Sequence, residues 1–336
     1  MATIYEVSKL ADVSLATVSR VINDTGKVSP ATRKRVEDAM RELGYRPNSI
    51  AQSLASNRSN CVGVLVSELH GPIFGAMLDT IESELRKAGK FAMFTAGHNN
   101  IDKEEEGIHF LARRNCDALI MHVEALRADY FLNNADRMLP FVLINRGEAS
   151  IADRCIRLDN EHGGYLATRH LLELGHREIG YISGPRGWGD AEARLKGHQR
   201  ALAEFGLGFD ERLLFEGDYK IESGRDGAAR LLDTDPGLTG IVCANDDMAA
   251  AAMGLIRDRG RSVPGDISVV GFDNARWSSF LHPRLTTVDY PADELGRMAA
   301  RWVLRNVYDR EDIDLRQDFT PELIVRESSA PPRDHT

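Results

Sequence analysis

Val13-Ser14-Leu15-Ala16-Thr17-Val18-Ser19-Arg20-Val21-Ile22-Asn23 reads as one short amphipathic helix with a serine cap ahead of it. Val18, Val21 and Ile22 recur at three- and four-residue spacing and form its inner face, leaving Leu15, Ala16, Ser19, Arg20 and Asn23 outside. Upstream, Thr3-Ile4-Tyr5-Glu6 has the spacing of a capping box and predicts a first helix from Ile4 to Ala11. Downstream, Ser29 followed by Pro30 starts a third helix that Gly44 stops. The inner face is expected to pack on Val7, Leu10, Val36, Met40 and Leu43, which makes a helix-turn-helix. Its outer face suits a DNA major groove: Arg20 can fork onto guanine O6 and N7, and Leu15 and Ala16 can touch thymine methyls. Ser14, Thr17, Ser19 and Asn23 can donate to phosphates. A small helical module that binds protein is the competing reading of this segment alone.

Charge divides the chain in the same way. Residues 1–60 hold nine Lys or Arg against six Asp or Glu, a balance of +3, so −12 of the whole-chain −9 falls on the rest. An acidic body discourages indiscriminate binding to nucleic acid, so a dimer presenting two heads is expected to be needed for specific binding. The 336 residues, 43% hydrophobic, suffice for a small headpiece and a large two-lobed body. Cys61, Cys116, Cys155 and Cys243 lie far apart without a Cys-x-x-Cys and read as reduced core thiols. No signal peptide precedes the first helix, no apolar stretch approaches eighteen residues, and no metal site stands out, so a cytoplasmic protein without membrane contact or cofactor is expected.

From Cys61 onward, short apolar runs alternate with amphipathic helices. Strands are predicted at Val62–Val66, Phe91–Thr95, Ala118–His122, Phe141–Asn145, Ile179–Ser183, Leu213–Glu216, Gly240–Ala244 and Ile267–Phe272. Helices fall near Phe74–Lys87, Lys103–Arg114, Ala128–Arg137, Glu161–Leu174, Ala191–Phe205, Ser223–Leu232, Asp247–Arg259 and Ala292–Asn306. This alternation builds parallel sheets covered by helices on both faces, and two series imply two lobes, an α/β body. Ligands of open parallel sheets sit beyond the carboxyl ends of the strands, and those ends are polar here: Asn145 and Arg146, Asn245 and Asp246, and Asp273. Arg194 lies near a helix start, and Phe74, Trp188, Tyr219 and Tyr290 can supply aromatic faces. Paired donors and acceptors match adjacent sugar hydroxyls, and rings match the apolar face of a pyranose.

Val13 to Asn23, Val28-Ser29 and Gly44-Tyr45-Arg46-Pro47-Asn48 together resemble the LacI/GalR family of bacterial repressors, and the resemblance runs along nearly the whole chain. It implies that Leu15, Ala16 and Arg20 read bases and that Asn48 to Ala55 forms a hinge helix, with Asn48, Ala51 and Leu54 toward DNA and Leu54 wedged into the minor groove. Such a wedge costs a few kcal/mol of unstacking and bends DNA onto more protein. Without DNA, this short segment reads as a plain linker. The resemblance further implies a headpiece at 1–47, a hinge at 48–59 and a periplasmic-binding-protein-like body at 60–330. In that body lobe 1 takes about 60–160 and 291–320, lobe 2 takes 161–290 and 321–330, and 331–336 is a disordered tail. Arg194, Asn245 and Asp273 are implied as effector contacts.

Phe74-Gly75-Ala76-Met77, Leu143-Ile144-Asn145-Arg146, Arg154-Cys155-Ile156, Leu166 to Leu171 and Asp190-Ala191-Glu192 are most similar to the galactose repressor and isorepressor branch. Gly71 stands before Pro72 where the family usually has Asn or Asp. The expected protein is a homodimer on palindromic double-stranded operator DNA, released by a hexose or hexoside with galactose first; a purine-responsive, co-repressed regulator is the alternative. The tail lacks a leucine heptad, which favours a dimer over a tetramer.

Blander roles stand beside these. Asn245 and Asp246 can cap the following helix, Asp273-Asn274 can be a turn, and Arg146 can bridge the lobes instead of touching ligand. Trp188 can pack on the surface, and Glu104-Glu105-Glu106 reads as a solvated helix start. A sugar-modifying enzyme is the rival from another class, but no dinucleotide, phosphate-loop or nucleophile-elbow motif occurs, and adjacent Asp246 and Asp247 should point apart.

Overall fold

Thr3 caps the first helix as its spacing requires: its hydroxyl accepts from the Glu6 amide, and the Glu6 carboxylate accepts from the Thr3 amide at 2.7 Å. The computed structural model describes residues 2–22, 26–45 and 58–333. Three helices, α1 (Ile4–Ala11), α2 (Leu15–Ile22) and α3 (Pro30–Glu42), bury Val7, Ala11, Val18, Val21, Val36 and Ala39 among themselves. Ile22, Met40 and Leu43 pack around this core. Leu10 departs from expectation, standing 44% exposed. Ala11, four residues after Val7, takes the inward position on α1 instead. Asn23, Asn48, Ala51, Leu54 and the hinge segment lie outside the described residues. The chain divides into two units near Cys61.

The second unit carries two six-stranded sheets. Lobe 1 uses β1 (Cys61–Val66), β2 (Phe91–Ala96), β3 (Ala118–Met121), β4 (Phe141–Ile144) and β5 (Cys155–Leu158), with helices α4 (Pro72–Lys87), α5 (Ile101–Arg113) and α6 (Ala128–Asn134) between them. Lobe 2 follows with α7 (Asn160–Glu173), β6 (Ile179–Ser183), α8 (Gly189–Glu204), β7 (Leu214–Glu216), α9 (Ile221–Thr234), β8 (Gly240–Cys243), α10 (Asp246–Asp258), β9 (Ser268–Asp273) and β10 (Thr286–Asp289). The chain then returns to lobe 1 as α11 (Ala292–Asn306), which packs on α4, and as β11 (Asp318–Phe319), which pairs with β5. It crosses a last time to form β12 (Leu323–Ile324), antiparallel to β10.

The sheet orders are β11-β5-β4-β3-β1-β2 and β12-β10-β9-β8-β6-β7. Central strands β3, β4 and β8 are buried throughout, as strands covered on both faces should be. Ala292–Asn306 packs on α4 of lobe 1, and β5, β10, β11 and β12 go beyond the sequence reading. In lobe 2, α7 and α8 meet backbone to backbone: a Cβ on Gly164 would strike the Arg194 carbonyl, and one on Gly197 the Glu161 carbonyl. This approach brings Asn160 and Arg194 to the same end of the sheet.

Candidate DNA-reading helix and effector cleft

On α2, Ala16 and Arg20 are exposed and Leu15, Thr17 and Ser19 half-buried, while Val18 and Val21 turn inward. The Ser14 hydroxyl accepts from the Thr17 amide at 3.2 Å and shares a 2.9 Å hydrogen bond with the Thr17 hydroxyl. The cap thus spends part of the hydrogen-bonding capacity that the sequence reading assigned to phosphates.

In the body, Phe74, Asn145, Trp188, Arg194, Tyr219, Asn245, Asp273 and Tyr290 all line one cavity of about 520 Å³ between the lobes, within the roughly 300–1,000 Å³ of small-molecule sites. They arrive from strand ends and helix starts of both lobes, as the topology requires. Asn145, Tyr219 and Asp273 hold φ of 61°, 67° and 117°. Left-handed backbone costs a non-glycine residue about 1–3 kcal/mol and gathers where side-chain placement matters.

Arg194 is the centre. It is 3% exposed, its Nε donates to Asn160 Oδ1 at 2.9 Å, its Nη1 donates to the Ala244 carbonyl, and its Nη2 faces Asp190 at 3.7 Å. The guanidinium also lies over the Phe272 ring, 3.7 Å from its centroid. Burial opposes the Arg194 charge, but Tyr219, Asp190 and Asp273 more than offset it, so its pKa lies above the ordinary value. Tyr219 donates to Asp190 at 3.1 Å and sits 6.0 Å from Trp188, ring to ring.

Asn245 does two jobs: its Oδ1 accepts from the Met248 amide as the cap of α10, and its Nδ2 donates to the Tyr219 carbonyl at the cavity wall. Asp246 is not the cap. It is buried and accepts from the Ala275 amide at 2.8 Å and from the Thr287 hydroxyl, while Asp247 lines the cavity, so the two carboxyls do point apart.

Arg146 neither lines the cavity nor bridges the lobes. Its Nη1 donates to the carbonyls of Val123 and Leu126, and its Nη2 pairs with Glu148 at 2.9 Å, all within lobe 1. Glu104 is likewise not a solvated helix residue. It is fully buried and accepts from the amides of Glu124, Ala125 and Leu126 at 3.2, 3.2 and 2.8 Å. One side chain takes the amides and the other meets the carbonyls, so the loop after β3 is clamped from two directions. Cys61 is half-buried and the other three cysteines are buried, and none of the four is in a disulfide.

The cavity also holds residues that the sequence reading left out, notably His122, Glu124, Asp190 and Asp218. His122 follows β3 directly, and the strand-end rule that found Asn145 applies to it equally. Burial pushes its pKa down to about 4, which keeps the ring neutral near pH 7, and the Tyr290 hydroxyl lies 3.4 Å from its Nε2. Asp273 is pushed well above the carboxylate range by burial despite Arg194. Among the described residues no helix is long and apolar enough to cross a membrane, and no group of three or more His, Cys, Asp or Glu is placed to hold a metal ion.

Residues 3–48 match the model for bacterial regulatory proteins of the lacI family, and residues 168–329 match that for a periplasmic binding protein-like domain. The transcriptional regulator GalR of Escherichia coli K12 is 40% identical over 332 residues, covering 99% of this chain and 97% of GalR. A Lac repressor dimer bound to operator and the anti-inducer ONPF superposes with a TM-score of 0.86 at 29% identity, covering 98% of this chain and 99% of that one. A complex of the regulator CelR with cellobiose gives a TM-score of 0.72 at 32% identity, covering 98% and 100%. The exposed helix of the headpiece and the polar cleft between two parallel-sheet lobes are thus the parts of a DNA-binding transcriptional regulator, not of an enzyme, and the chain belongs to the LacI family of bacterial regulatory proteins.

Proposed function

We propose that this protein is a repressor that binds a palindromic operator as a homodimer and is released by a hexose or hexoside, galactose first, held in the cleft by Asn145, Arg194, Asn245, Asp273 and the rings of Phe74, Trp188, Tyr219 and Tyr290. The observation that carries the reading is Arg194, charged and stripped of water among aromatic rings and amide and carboxyl groups, in a cavity open to both lobes. Donors, acceptors and rings in that density match a polyhydroxylated ring with an apolar face. The CelR complex holds a sugar, and the Lac repressor structure holds an operator, which supports the same two ligands here.

On the headpiece, Leu15, Ala16 and Arg20 read bases, with Ser14, Thr17, Ser19 and Asn23 on phosphates. The segment with Asn48, Ala51 and Leu54 is the hinge. If the lobe arrangement with sugar differs from the one that lets two hinges pair, sugar and operator each weaken the other by the same factor, typically about 5- to 150-fold. The test is selection of bound duplexes from a random pool at fixed salt, repeated with hexoses, hexosides and nucleobases. A palindrome released by a sugar is the expected result. A palindrome strengthened by a nucleobase replaces the sugar with a purine-type co-repressor, and no enriched site sinks the proposal.

A further inference from the structure

Glu124 is 8% exposed in the cavity wall of lobe 1, and neither of its carboxyl oxygens meets a hydrogen-bond partner among the described residues. Buried polar groups are nearly always partnered, so a carboxyl left with both oxygens open calls for a reason. Loose placement is not that reason. Its own backbone amide is bonded to Glu104, and the residues flanking it, Val123 and Leu126, give their carbonyls to Arg146. The protein spends the buried carboxylate of Glu104 and the half-buried guanidinium of Arg146 on holding this loop still. On the same lobe, Asn145 Nδ2 and His122 Nδ1 are also open in the wall. Across the cleft stand Asp190, already accepting from Tyr219, and Asp273.

We propose, resting on the cleft being the effector site, that Glu124 is its specificity-determining residue on lobe 1: it accepts from hydroxyls of a neutral sugar and, with Asp190 and Asp273, excludes ligands bearing phosphate or carboxylate. The cations of the cavity do not reverse this. Arg194 has committed its Nε and Nη1 to Asn160 and Ala244, and Lys220 stands exposed at the mouth. Burial and then Asp190 hold the Glu124 carboxyl well above the ordinary carboxylate range. An arriving anion meets the same burial and the same Asp190 that hold Glu124 back from ionising. Hydroxyls can both donate to a carboxyl oxygen and accept from a retained carboxyl proton, at no cost in charge.

The experiment is calorimetric titration of the full chain and of Glu124→Gln with matched sets built on galactose, glucose and mannose, each as neutral sugar, uronate and 1-phosphate. For wild type, one neutral sugar should bind at least about 10-fold tighter than its own uronate and phosphate. Glu124→Gln, which keeps shape, should weaken the neutral sugar by about 10- to 100-fold and narrow that gap. Unchanged neutral-sugar affinity in the variant, or a parallel loss for all members of a set, overturns the role of Glu124. Tighter binding of a uronate or phosphate by wild type overturns the exclusion. If no member of any set binds, the effector reading itself falls, and this inference with it.

Discussion

Asn160 Nδ2 donates to Asn145 Oδ1 at 2.8 Å, and Asn160 Oδ1 accepts from Arg194 Nε at 2.9 Å, so one amide side chain links lobe 1 to the central arginine of lobe 2. Asn160 opens α7 just after the chain has left β5, at the first crossing between the lobes. A movement of Asn145 relative to lobe 2 must therefore stretch this link or carry Arg194 with it.

Asn160→Ala removes the link and leaves Arg194 Nε and Asn145 Oδ1 buried without it. Stability should fall by about 1–3 kcal/mol in urea denaturation, and effector affinity should fall with it. A variant as stable as wild type that binds sugar equally well would show the link to be idle.

Glu104→Ala should destabilise the body by at least about 2 kcal/mol, because the amides of Glu124, Ala125 and Leu126 lose their acceptor together. Glu104→Gln, which keeps one oxygen, should cost less. Chemical denaturation of both variants checks the ordering, and equal losses would contradict a role as amide acceptor.

Burial raises the Asp246 pKa from 3.8 to about 7. Between those values the folded state keeps a proton that the unfolded chain has released. This contribution to stability is full below about pH 4 and is lost as pH rises through 7. Asp246→Asn has no such proton, and its amide can still accept from Ala275 and donate to the Thr287 oxygen. From pH 5 to pH 8, wild type should lose stability relative to Asp246→Asn by on the order of 1–4 kcal/mol. A constant difference between the two proteins across that range would refute the assignment.

Arg20→Ala should weaken binding to the selected operator by about 1–3 kcal/mol and relax preference at one position per half-site. Competition with single-base variants of the duplex separates this from loss of a phosphate contact, which would lower affinity evenly across sequences.

Much of the fold was legible because its signals are local. Thr3, Ser14 and Ser29 announce helix starts, and the buried parallel strands are continuous apolar runs bounded by polar ends. The missed strands lack that mark: β5 contains Arg157, β10 begins with two threonines, and β11 and β12 are two residues each. Their pairing is set by partners far away in the chain. Strand ends likewise disclosed most of the cleft, yet Arg146 and Glu104 were misjudged for one reason. A charge at a strand end or in an acidic run looks the same in sequence whether it faces ligand, water or a buried loop. Only the fold reveals that these two grip the backbone of residues 123–126 from opposite sides.

The three crossings also bear on how the protein is made. Lobe 1 waits for α11 and β11, and lobe 2 for β12, whose residues follow β11 almost at once. Neither sheet can be completed until residues 318–324 have left the ribosome. The headpiece core, by contrast, lies among the described residues within residues 4–45. During synthesis a finished DNA-reading module therefore precedes an unfinished sensor, and a nascent chain released before β11 would carry the first without the second.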